Sequence, residues 1–375
     1  MKEGLYCPSN AAFLRRSPSL MTKKLNLSII SIGFFSCILG DIEIDNVVSK
    51  NITVGFFRSF VSGKINAKNL MAVEFNNCLT LSGMFLIDLP KIRISYTKEN
   101  IELNHWQGLL MQFYQDIGLL NIPIKYYIHN PQQVDISSNF DNQNEPYKPT
   151  INLVYNQGTD HLMTKITGMS LTVFSISGNP GGSISVENTR IDSWYIYDFF
   201  PEGSVSFYNV EPISTSDSDV RIGIHGSKLD GVEFDNIAFD AYPIISFYRT
   251  KFSKAIFTSC DFPDDYKTFS RFVPIENVHY PDRRTRNYEK AQYEIFLQLK
   301  KAVEDRGNYY ESQKLQAIAH DALKQIKTLS RLDRMILKIN NWSNNHGLSI
   351  KRPFWGFIFF SIPLYMLYLL SICKR

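Results

Sequence analysis

Cysteine is scarce and scattered in this 375-residue chain. The five cysteines, Cys7, Cys37, Cys78, Cys260 and Cys373, form no C-x-x-C or C-x-x-H pair. That spacing excludes a zinc ribbon and a disulfide-stapled small domain, and the odd number suits a reducing compartment. Cys37, Cys78 and Cys260 occupy small inward positions of a repeat, where a free cysteine behaves as a small hydrophobe. The seven histidines, His105, His129, His161, His225, His279, His320 and His346, include no i,i+4 pair of the kind a helical metal site needs. Gly178 to Gly182 reads GNPGG, without a Walker lysine or G-x-G-x-x-G spacing, so it reads as a turn. Asp230, Glu233 and Asp235 are the best carboxylate set for a sugar-cleaving β-helix, and their local spacing reads as solvated surface. No catalytic, cofactor-binding or metal-binding residue is therefore assigned, no cofactor is implied, and the chain is not expected to be an enzyme.

Charge is also sparse, at 20% of residues, whereas 44% are hydrophobic and 27 are Phe. This composition excludes a disordered tail and demands an interior that accepts many aromatic rings. The net charge of +4 hides an asymmetry. Residues 281–375 hold 17 Lys/Arg and 8 Asp/Glu, which leaves residues 1–280 with 23 and 28. The first 280 residues are thus only mildly acidic, too weakly so for a DNA mimic.

Phe is also periodic. Phe247, Phe252, Phe257 and Phe262 recur at every fifth position, and Ile245, Thr250, Ala255 and Cys260 stand two residues before them. Upstream, Ile224, Leu229, Phe234, Phe239 and Ile244 keep the interval, as do Val186, Ile191 and Ile196, with the oversized Trp194 at one of the paired positions. Near the N-terminus the series is Ile29, Phe34, Leu39 and Ile44, followed by Phe60, Ile65, Leu70, Phe75 and Phe85. A chain that turns a corner about every five residues winds as a square parallel β-helix of about twenty residues per coil, whose apolar faces are buried only by stacking on neighbouring coils. The expected core includes Phe34, Phe75, Phe234, Phe239, Phe247, Phe252, Phe257 and Phe262.

These paired positions resemble the pentapeptide-repeat family, whose consensus puts Ala, Cys, Ser, Thr or Val two residues before a central Leu or Phe. The resemblance covers residues 26–95 and 168–265. It is densest over 224–262, and the family's Asp or Asn between the inward sites is mostly missing, Asp261 being a survivor. It implies a right-handed quadrilateral β-helix. Leu25 to Gly40, behind Lys23 and Lys24, also has the form of a secretory signal starting at Met21. The period runs through it to Ile42 and Ile44, which favours a first coil; a signal at 21–40 would instead make the protein extracytoplasmic.

Residues 96–167 lose the period and read as an insertion, with an amphipathic helix at Trp106, Leu109, Leu110, Phe113, Tyr114 and Ile117 followed by a polar loop from Asn130 to Pro149. After about Tyr288 the pattern is helical, with a stop at Gly307 and apolar stripes at Leu315, Ile318, Ala319, Ala322 and at Leu332, Met335, Ile336, Ile339. Phe354 to Cys373 is an uncharged run of 20 residues, long enough at about 1.5 Å per residue to cross a bilayer. Lys351 and Arg352 flank one end and Lys374 and Arg375 the other, Trp355 sits where an interfacial aromatic belongs, Pro363 at mid-span is expected to kink the helix, and Tyr365, Ser361 and Ser371 are its polar members.

The expected plan is an N-terminal segment (1–25), a first solenoid section (26–95), an insertion (96–167), a second solenoid section (168–265), a basic helical module (280–347) and a transmembrane helix (354–373). The block 299–348 resembles the helical linker of bacterial pentapeptide-repeat membrane proteins, some of which carry a two-helix channel unit. Here one span follows, without a T-V-G-Y-G filter. The expected function is a non-enzymatic, single-pass scaffold or sensor on the cytoplasmic side of a bacterial inner membrane. The alternatives are a subunit of an oligomeric channel or pore effector and, behind it, a carbohydrate-active β-helix enzyme. The lipid bilayer is the expected partner, with an unidentified protein and further copies of the chain as candidates. No nucleic acid is expected.

Overall fold

The computed structural model describes residues 30–96 except 36–37, 46–51, 58, 62, 77 and 81–82; 125–139; 148–214 except 159; 220–275, 278 and 280; 288–344 except 327; and 346, 348, 349 and 351–373. The predicted helix at Trp106–Ile117 lies outside the described residues, as do Cys7, Cys37, His105 and His279.

The chain winds as a parallel β-solenoid. One row of strands runs Ile30–Phe35, Ile52–Phe57, Ala72–Asn76, Lys91–Tyr96, Gln133–Ser138, Met163–Thr167, the start of Ser183–Phe199, Val205–Glu211, Val232–Ile237 and Ile256–Thr258, each parallel to the next. A second row runs Ile42–Asp45, Ile65–Lys68, Met84–Ile87, Lys125–His129, Thr150–Tyr155, Ser170–Gly178, the end of Ser183–Phe199, Arg221–His225 and Ile244–Tyr248. A short third row joins Ile38–Leu39, Phe60–Val61 and Leu79–Thr80. Residues stacked one coil apart can be as close in sequence as Asn76 and Ser95, 19 residues. Ile30–Asp45 thus contributes strands to the first described coil, in register with Ile52 onward.

Parallel, in-register stacking puts like residues above one another at the inter-strand spacing. Phe34, Phe56 and Phe75 stack at 5.1 Å per step, and Phe207, Phe234 and Phe257 at 5.4 and 5.1 Å. All the predicted core phenylalanines are buried except Phe34, which is half-buried in the first described coil. Trp194 also points inward, fully buried against Phe207 and Phe234, so its coil accommodates the large ring within the same register.

The small inward residue has a chemical reason. Three residues after a central apolar side chain, a short donor reaches the carbonyl of the equivalent residue one coil earlier. Ser59 donates to Phe34 O, Cys78 to Phe56 O, Thr250 to Ile224 O and Cys260 to Phe234 O. Burial pushes the Cys78 and Cys260 thiols up to about 12, so both stay protonated donors.

Corners are set by left-handed residues in two columns. Asn188, Asn209, Asn236 and Ser259 have φ between 49° and 55°, and the amides form a ladder: Asn209 donates to Asn188 Oδ1 at 2.8 Å and Asn236 to Asn209 Oδ1 at 3.0 Å. Asn tolerates this region better than other non-glycine residues. The second column includes Asn69, Asp88, Asn130, Gly178, Asp198 and Arg249. At Gly178, with φ of 94°, a Cβ would collide with the Tyr155 carbonyl oxygen, so only glycine fits.

Two expectations are corrected here. Within 96–167, strands Lys125–His129, Gln133–Ser138, Thr150–Tyr155 and Met163–Thr167 belong to the solenoid rows, so the described part of this segment continues the coils. Its polar residues are the outward half of a period-two pattern whose inward half is Tyr126, Ile128, Val134, Ile136, Ile151 and Leu153. Phe85 faces outward and stacks on Tyr127 at 4.9 Å, because Met84 and Leu86 take the inward positions of that strand.

Candidate membrane-anchoring site

Among the described residues, four α-helices follow the coils: α1 (Tyr288–Glu304), α2 (Tyr309–Gln325), α3 (Arg331–Asn344) and α4 (Lys351–Cys373). Gly307, with φ of 81°, terminates α1, and Asn308 caps α2 by accepting from the Glu311 N–H.

The α1–α2 hairpin covers the end of the solenoid. Its apolar face buries Ile295, Phe296, Leu299, Leu315 and Ile318, with Phe296 edge-on to Phe269. Its polar side chains satisfy the backbone of the last coil: the Phe252 N–H donates to Gln298 Oε1 and the Phe262 N–H to Glu311 Oε2, while Gln292 donates to Phe269 O. An open strand edge invites pairing with other chains, and here side-chain acceptors take the donors a further coil would have used. Lys314 bridges Glu311 and Asp264 at 2.9 Å each, so the buried carboxylate is paired.

The third predicted helix differs from the first two. None of its described residues is buried, and Leu332, Met335, Ile336, Ile339 and Trp342 are all exposed. The expected small helical module is thus a two-helix cap plus a helix whose apolar stripe stays exposed. Ser330 and Asp333 start α3 reciprocally: the Asp333 N–H donates to Ser330 Oγ, whose hydroxyl donates to Asp333 Oδ2.

The linker from α3 to α4 is pinned back to the cap. His346 is buried, with its Nδ1 3.2 Å from His320 Nδ1 on α2, and Asp321 binds Lys324 at 2.6 Å beside them. Burial and the Lys324 ammonium hold both imidazoles below the ordinary histidine range. Arg352 then clasps the helices together, its guanidinium donating to the Asn341 carbonyl at 3.0 Å.

The helix α4 carries every expected anchor residue. Lys351 and Arg352 open it, Trp355 is 65% exposed one turn in, Pro363 lies inside the continuous helix and Tyr365 is 62% exposed. The stretch Lys351–Ile372 is long and apolar enough to cross a membrane, and none of it is buried against the rest of the chain. The predicted span began at Phe354; the helix begins at Lys351, so the two basic residues form its first turn.

Among the described residues, the outward coil faces hold no comparable constellation. Glu233 and Asp235 alternate on one strand and point outward, in register with Ser206 and Tyr208 on one side and Ile256 and Thr258 on the other. Asp230 is 3.3 Å from Lys228. Among the described residues no group of three His, Cys, Asp or Glu could hold a metal ion. The α3–α4 clasp and the His320–His346 contact are the parts of the site that sequence reasoning missed, because both join residues whose periodicity carries no sign of partnership.

No protein-family model matches the chain, and no curated protein or solved structure matches it either.

Proposed function

We propose that this chain is a non-enzymatic, membrane-tethered β-solenoid, an interaction scaffold or sensor held at the cytoplasmic face of a bacterial inner membrane. The observation that carries the reading is the contrast between α4 and everything before it. The solenoid buries its apolar rows and has its last coil capped, whereas α4 exposes Phe, Leu, Ile and Tyr around its whole circumference. A helix apolar on all sides is stable in hydrocarbon and not in water. Its 22 apolar-rich residues extend about 33 Å, enough for the bilayer core. Arg331, Arg334, Lys338, Lys351 and Arg352 precede the apolar run and Lys374 and Arg375 follow it, an excess on the solenoid side that favours a cytoplasmic solenoid. Kinship with pentapeptide-repeat proteins is supported by the buried pairs Ile245/Phe247, Thr250/Phe252, Ala255/Phe257 and Cys260/Phe262. Scaffolding fits the outward faces, which offer a regular stiff surface.

The test is alkaline carbonate extraction of bacterial membranes carrying the full chain, together with reporters fused after residue 20 and after Arg375. Retention in the membrane with a cytoplasmic N-terminal reporter is expected. Release by carbonate, or an extracytoplasmic N-terminal reporter, refutes the tether or its orientation. Membrane potential should stay unchanged at high expression, since one apolar helix offers no polar path; depolarisation would favour the channel reading.

A further inference from the structure

We infer that α3 is a membrane-surface helix, lying in the headgroup region of the bilayer that α4 crosses, with its apolar stripe immersed and its basic flank against lipid phosphates. The inference rests on the proposed function, because α4 must span for α3 to be held at the interface.

Three observations point to lipid as the occupant of this face. The first is the stripe. Leu332, Met335, Ile336, Ile339 and Trp342 fall at i, i+3, i+4, i+7 and i+10, and all are between 52% and 73% exposed. This is an amphipathic helix with its apolar face unmet by the solenoid or the cap. The second is height. The clasp from Arg352 to the Asn341 carbonyl joins the C-terminal end of α3 to the first turn of α4, and a flanking arginine resides at the headgroups. That end of α3 is therefore fixed at the interface. Trp342 and Trp355 line one notch between the two helices together with Phe359 and Ile362, so both helices turn apolar surface toward the same space. The third is charge. At 100° per residue Arg331, Arg334 and Lys338 fall along one flank of the stripe, next to Trp342, while Asp333 lies on the other side. Arg331 and Lys338 are exposed, free to meet phosphates, and Asp333 is occupied by Ser330. Basic residues beside an apolar face with an aromatic at its edge are the composition of an interfacial helix.

The experiment uses the full chain reconstituted in vesicles of phosphatidylcholine and phosphatidylglycerol. The emission missing from Trp342→Phe is that of Trp342 alone. Lipids brominated near the headgroup end of the acyl chain should remove most of it, and aqueous iodide little. Quenching by iodide without quenching by bromolipid would overturn the inference by placing the stripe in water. Quenching by neither would overturn it by placing the stripe against protein, a second copy included. A carbonate wash of the same vesicles separates the two readings: release of the chain means α4 does not span, while retention with an iodide-quenched Trp342 means that only the α3 inference fails. In the double variant Ile336→Asp, Ile339→Asp the chain should stay in the vesicles with unchanged far-ultraviolet dichroism while Trp342 becomes open to iodide. An immersed Trp342 in that variant would equally refute the proposal.

Discussion

Replacing Phe234 by Ala probes whether the ring column carries the solenoid's stability or merely decorates it. Phe234 is fully buried, stacked between Phe207 at 5.4 Å and Phe257 at 5.1 Å, with Phe239 and Trp194 tilted against it at 6.1 and 6.2 Å. Its neighbours are themselves held by strand register above and below, so the hole cannot collapse without breaking the ladders. A Phe→Ala change at such a site is expected to cost about 4 kcal/mol, in the middle of the usual range. Phe35→Ala is the control, because Phe35 stacks on Phe57 at 4.7 Å yet is 64% exposed. It retains the ring–ring term without the burial, and its loss should cost less than about 1 kcal/mol. Urea unfolding of the full chain in detergent micelles, followed by the emission that Trp194→Phe removes and by far-ultraviolet dichroism, reads both. Since each coil touches only its neighbours, the Trp194 transition reports on Phe234, and the dichroism transition is the one compared between the two sites. A Phe234→Ala cost below about 1 kcal/mol, or equal costs at both sites, would refute burial as the source of the column's stability.

The Asn corner should show the backbone and side-chain contributions separately: Asn209→Ala loses both amide contacts and still forces a positive φ, costing about 2 kcal/mol, while Asn209→Gly frees the backbone and costs less, read as melting temperatures. Thr250→Val removes the hydroxyl that donates to Ile224 O while nearly keeping shape and should cost about 1 kcal/mol, whereas Thr250→Ser should be milder; a larger loss for Ser than for Val would mean that packing of the methyl outweighs the hydrogen bond. His225 is buried between the Tyr280 hydroxyl at 2.6 Å and Ser246 Oγ at 3.0 Å, and burial lowers it from 6.5 to about 4. The unfolded chain binds this proton first, so stability is full above pH 6.5 and falls as pH drops towards 4, by about 3 kcal/mol in total, a slope that His225→Gln should reduce in urea titrations across that window.

How far the sequence could be read depended on whether each residue's neighbour lies in the repeat. From Ile222 to Phe262 nearly every side of a coil supplies an inward pair, so the period of five announces both the coil and its core. Between Lys125 and Thr167 the same coils are built from alternating strands such as QVDISS, and a period of two among Asn, Gln and Ser resembles a loop until its partners one coil away are known. Phe85 shows the same limit at one residue. It is aromatic and in phase with Phe75, yet Met84 and Leu86 hold the inward positions and Phe85 covers Tyr127 outside.

The neck was opaque for a different reason. An apolar stripe at helical spacing states that one face avoids water, and it leaves open whether protein or lipid covers that face. Leu315, Ile318 and Ala322 on α2 and Leu332, Ile336 and Ile339 on α3 carry equivalent patterns, but the first three are buried under the cap and the second three face outward. What separates them is tertiary. Glu311 and Gln298 tie the hairpin to backbone donors of the last coil, whereas α3 is joined to α4 through Arg352, and its following linker to α2 through His346. The excess of positive charge after residue 280 falls partly on this neck, with Arg331, Arg334, Lys338, Lys351 and Arg352 clustered just before the apolar run. A tether that only anchored would need the two residues adjoining the span. The other three, set along one flank of an exposed apolar helix, have a physical use if that helix also lies on the membrane, since immersion of the stripe and contact with phosphates then stabilise the same orientation.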